Sequence, residues 1–99
     1  MLDLEKAKKE LREKSYDEIQ VSTAWTWGSR AAASFKNVKS MDREAKVSAF
    51  ILGQEYLHEA IEHASLAKNE GLVELVKMEV SEYESEAIED IEKSLKIDL

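Results

Sequence analysis

The sequence contains no cysteine and no proline, and only three glycines among its 99 residues. Without cysteine there is no disulfide, no thiolate metal site and no cysteine nucleophile, and a reducing, cytoplasmic setting is the expectation. Without proline, and with glycines standing apart at positions 28, 53 and 71, little interrupts a helix and no glycine-rich phosphate loop can form. Basic residues are a minority too: 14 Lys and Arg face 21 Asp and Glu, for a formal charge of −7. That balance opposes binding to nucleic-acid phosphates or anionic lipid, which requires a local cationic patch. Long hydrophobic runs are missing. The longest low-charge stretch, Ile19 to Phe35, includes Ser, Thr and Gln and falls short of the roughly 18–20 apolar residues of a membrane span. The opening MLDLEKAKKELREK alternates acids and bases, unlike a signal peptide.

What is present is helix-forming. Ala, Leu, Glu and Lys dominate, and a chain of this length holds one core, so the expected fold is all-α: one domain, residues 1–99, an antiparallel bundle of three long helices plus a short N-terminal helix. The bundle is organised around Ile19 to Phe35, whose only charge is Arg30. On a helical wheel Tyr16, Ala24, Trp27, Ala31 and Phe35 form one apolar face, which Val21, Trp25, Gly28 and Ala32 extend past half the circumference. A helix so broadly apolar needs covering from its own chain and from a second copy, so a homodimer is expected. Trp25 and Trp27 point to nearly opposite sides, and Trp25, Trp27 and Phe35 are the expected interface residues.

Helix boundaries follow from capping residues. Residues 1–14 carry a thin stripe of Leu4, Ala7 and Leu11 and read as a helical arm. Ser15 and Glu18 form a capping-box pattern that starts a helix over 15–37. Ser40 offers the next N-cap and Asp42 an acid in the first turn, for a helix over 41–69 with Leu57 at the centre of its apolar face and Val47, Ala49 and Ala67 on the flanks. Gly71 is placed to end that helix in a left-handed C-terminal conformation. The last helix, 72–95, puts Val73, Val76, Val80, Tyr83, Ala87, Ile91 and Leu95 on one side and Glu79, Glu82, Glu86 and Asp90 opposite. The basic residues of the N-terminal arm are the expected compensators of that acidic side.

Two features suggest chemistry. Glu55 and His58 form Glu-x-x-His, which places a carboxylate and an imidazole on adjacent turns of one helix face. In this motif the chain resembles the ferritin-like proteins. The resemblance implies iron held by Glu18, Glu55 and His58, with a two-fold partner completing the site, because the chain has no second Glu-x-x-His. Arg30, close to Trp27 on the wheel, is expected in a buried or half-buried ion pair with a Glu of a later helix. His63 with Glu59 one turn earlier reads as a surface pair. No arrangement suggests a nucleophile, a base and an orienting group, so no catalytic residue is assigned and no cofactor is expected outside the iron reading. The expected role is a non-enzymatic structural or interaction bundle. The alternatives are the ferritin-like iron protein and an adaptor or antitoxin-like protein whose acidic last helix engages a basic protein partner.

Overall fold

The computed structural model describes residues 16–67 and 70–97. Three helices, α1 (Tyr16–Asn37), α2 (Arg43–Leu66) and α3 (Glu70–Ile97), account for nearly all of them, with a 3₁₀ turn over Val38–Ser40. No strand occurs among the described residues. The expected helical arm over 1–14 and the capping residue Ser15 lie outside them.

Charges at the ends of α1 suit its dipole: Asp17 and Glu18 occupy the first turn and Lys36 the last. The chain then tightens. Ser40 Oγ donates to Asn37 O at 3.0 Å and the Met41 N–H to Val38 O at 3.2 Å, closing the 3₁₀ turn. Asp42, in extended conformation, starts α2 by accepting from the Ala45 N–H at 3.0 Å. The expected cap, Ser40, therefore closes the turn instead, and Asp42, expected inside the first helical turn, caps the helix. The end of α2 differs from expectation. It stops at Leu66, with the Ala67 N–H donating to His63 O at 3.1 Å, and Gly71 is the second residue of α3. With no proline nearby, glycine is tolerated in a first helical turn, so its presence did not mark a stop.

The helices run up, down and up. Ser34 near the end of α1 donates its hydroxyl to Ala49 O near the start of α2 at 2.8 Å, and His63 Nδ1 donates to Gln20 Oε1 at 2.5 Å at the other end of the pair. Two apolar clusters fill the space between the helices. One joins Ala24, Ala60, Ala64, Ala67, Leu72 and Val76, and the other Ala31, Phe35, Val38, Ala49, Val80 and Ala87. Leu57 packs against both. Seven of these twelve buried residues are alanine, so the helices approach closely and the core is narrow. The buried face of α2 is accordingly centred on Ala49, Gly53, Ala60 and Ala64; Leu57 is only half-buried and Val47 is exposed.

The third helix is tied to the turn by two ion pairs. Lys46 reaches Asp90 and also donates to Val38 O at 3.0 Å, while Lys39 meets Glu86 at 3.2 Å. Lys46 is thus shared between an acid of α3 and a carbonyl of the 3₁₀ turn.

Candidate functional site: an apolar face on the second helix

A narrow core leaves large side chains outside. Along the first half of α2, Val47 is 45% exposed, Ile51 52% and Leu52 41%, with Met41 just ahead of the helix at 36%. Val47 and Ile51 are one turn apart, and Leu52 extends their surface toward α1. The second half of the same outer side is polar, carrying Glu55, His58, Glu59 and Glu62. These exposed apolar residues lie beside polar ones on the same helix.

Beside it lies a groove of about 660 Å³ between α1 and α2, whose walls include Ala33, Met41, Ala45, Ser48, Leu52 and Tyr56. Arg30 supplies the one charged side chain of that lining. A second hollow, of about 730 Å³, takes in Trp27, Ile51, Tyr56 and His58, and Tyr56 lines both. Tyr56 is held by Trp27, with ring centroids 5.4 Å apart and planes tilted by 34°. The groove thus combines small residues along its floor, large apolar residues beside them, and a single cation.

Of the residues singled out from the sequence, Trp27, Glu55 and His58 line the second hollow together, and Glu18, Trp25, Arg30 and Phe35 do not. Glu18, Glu55 and His58 are all exposed. Among the described residues no group of three or more His, Cys, Asp or Glu could hold a metal ion, so these three form no site within one chain. Phe35 is only 1% exposed and packs against Phe50, at 5.5 Å between centroids, which puts it in the bundle core and not on a subunit surface. Trp27 is half-buried against its own chain, whereas Trp25 remains 37% exposed on the side facing α3. Arg30 is exposed, with its guanidinium 4.9 Å from the centre of the Trp27 ring. The expected buried ion pair is replaced by this cation–π contact, which leaves the charge hydrated. His63 is half-buried, bonded to Gln20 and 3.8 Å from Glu59.

Val47, expected on the flank of the apolar face, is exposed, because a wheel shows how wide an apolar face is and not which neighbour covers it. Val47 and Ile51 lie at the edge of a wide face that α1 and α3, lined with alanine and valine, are too narrow to reach.

No known family model matches this sequence, and no curated protein or solved structure matches it. No helix among the described residues is long and apolar enough to cross a membrane.

Proposed function

We propose that this chain is a non-enzymatic helical-bundle protein that works as a homodimer, with the first half of α2 and the adjoining α1–α2 groove as the contact. The exposed cluster of Met41, Val47, Ile51 and Leu52 carries this reading. A bundle whose buried residues are mostly alanine gains little from its own core, and pairing two such clusters removes more apolar surface from water. Charge favours this side as well. Asp90 is neutralised by Lys46 and Glu84 accepts from Gln54, so the acids of α3 nearest α2 already have partners, which limits repulsion between two chains of formal charge −7. A cytoplasmic location is part of the proposal and fits a chain without cysteine.

Sedimentation equilibrium across a wide concentration range tests the assembly. The expected mass is twice the chain mass of 11.3 kDa. A single-chain mass at every concentration would overturn the dimer and leave the acidic outer face of α3, with exposed Glu79, Glu82 and Glu89, as the surface for a basic protein partner.

A further inference from the structure

On the opposite side of α1 from the α2 groove, the first and third helices leave a cleft of about 230 Å³ between them. Trp25, Gly28, Ser29 and Ala32 contribute from α1 and lie on one helical stripe; Val76, Glu79 and Tyr83 contribute from α3. The three small residues of α1 leave the space open between the aromatic residues.

Gly28 is the informative position. A Cβ built there would meet Val76 Cγ1 at 3.5 Å, an ordinary van der Waals contact, so the packing of α1 on α3 does not require glycine. Glycine in a helix interior is unfavourable relative to alanine. Its effect here is to deepen the cleft. The lining is also chemically specific: two electron-rich rings, one of them 37% exposed, with one carboxylate. Among the described residues neither the Glu79 carboxylate nor the Tyr83 hydroxyl has a hydrogen-bond or ion-pair partner. Eight acids between Glu74 and Glu92, against the single base Lys77, add a negative potential along the same helix.

We propose that this cleft binds an organic ammonium ion, with Trp25 and Tyr83 presenting ring faces to the cation and Glu79 pairing with it. Aromatic faces attract a poorly hydrated alkylammonium through the ring quadrupole, and a nearby carboxylate supplies the charge that a neutral ligand of the same shape does not use. The same chemistry is offered by a free quaternary amine and by a lysine side chain of another protein. This site does not depend on the dimer, since its lining residues lie away from the outer face of α2.

The test is titration of the isotope-labelled protein at constant ionic strength, following the Trp25 indole N–H and the Gly28 amide by NMR. The probes are choline, a lysine amide acetylated at its α-nitrogen, and the neutral alcohol in which carbon replaces the nitrogen of choline. Saturable shifts with choline alone identify a small-amine site, and saturable shifts with the lysine derivative identify a site for a basic protein. In either case Glu79→Gln should weaken binding about five-fold or more, and Gly28→Ala should abolish it while the helical spectrum and melting temperature hold or rise. No saturable shift with either cation, or an equal response to the neutral alcohol, would overturn the proposal. So would undiminished binding in Gly28→Ala.

Discussion

Gly53 in α2 lies directly against the Phe35 ring of α1. A Cβ at position 53 would fall 2.5 Å from Phe35 Cε1 and 2.9 Å from Cζ, closer than a carbon–carbon contact allows. Phe35 is almost fully buried and packed on Phe50, so its ring has little room to retreat. The glycines of α1 and α2 therefore differ. Gly53 is required by a neighbour and Gly28 is not.

Gly53→Ala should destabilise the protein by about 1–3 kcal/mol through overpacking. Gly28→Ala should stabilise it by about 0.5–1 kcal/mol through helix propensity. Thermal and urea unfolding followed by circular dichroism measure both. Adding Phe35→Leu to Gly53→Ala should recover part of the loss, giving a coupling energy that independent sites would not show. Equal effects of alanine at the two positions would contradict this assignment.

The two lysines that hold α3 to the turn are predicted to differ. Lys46 has a side chain only 13% exposed and bridges Asp90 to Val38 O, whereas the Lys39 and Glu86 side chains are largely exposed. Lys46→Met should cost about 1–3 kcal/mol, because Asp90 and the carbonyl lose their shared donor in a partly buried place. Lys39→Met should cost about 0–1 kcal/mol. Denaturant midpoints of the two variants give the comparison, and a larger loss for Lys39→Met would reverse the ranking.

Iron is predicted to be absent at stoichiometric level. Glu18, Glu55 and His58 are exposed, and among the described residues one chain brings no three ligands together. Elemental analysis after purification without chelators and brief exposure to ferrous iron should find only traces, unchanged in His58→Ala. Half or full stoichiometry that disappears in His58→Ala would instead establish a site shared between subunits.

The helical architecture was legible in the sequence because local signals agree. Helix formers without proline, the break between α1 and α2 and the apolar spacing of Val76, Val80 and Ala87 all depend on neighbours within a few residues, although the cap of α2 falls on Asp42 and not on the expected Ser40. Contacts between distant residues were not legible. Lys46 and Asp90 are 44 positions apart, so no local spacing of charges links them. The basic arm expected to balance α3 lies outside the described residues, and Lys39 and Lys46 make the observed pairs with Glu86 and Asp90. The closeness of Arg30 to Trp27 on the wheel suggests a buried stem and hence an ion pair. Helix geometry instead sets it over Trp27, three residues earlier, where an exposed guanidinium needs no buried partner. The apolar face of α2 was visible, but its uncovered edge depended on the slimness of α1 and α3, a property of the assembled bundle.

The most direct test compares sedimentation velocity of the wild type with Ile51→Glu, Leu52→Glu and Trp25→Ala, each checked for helical content. If the outer face of α2 is the subunit contact, the wild type and Trp25→Ala sediment as dimers and the two glutamate variants as folded monomers, since a charge buried in an apolar contact strongly disfavours association. A dimer that survives both glutamate substitutions, or that Trp25→Ala alone dissociates, would place the contact elsewhere and contradict the account.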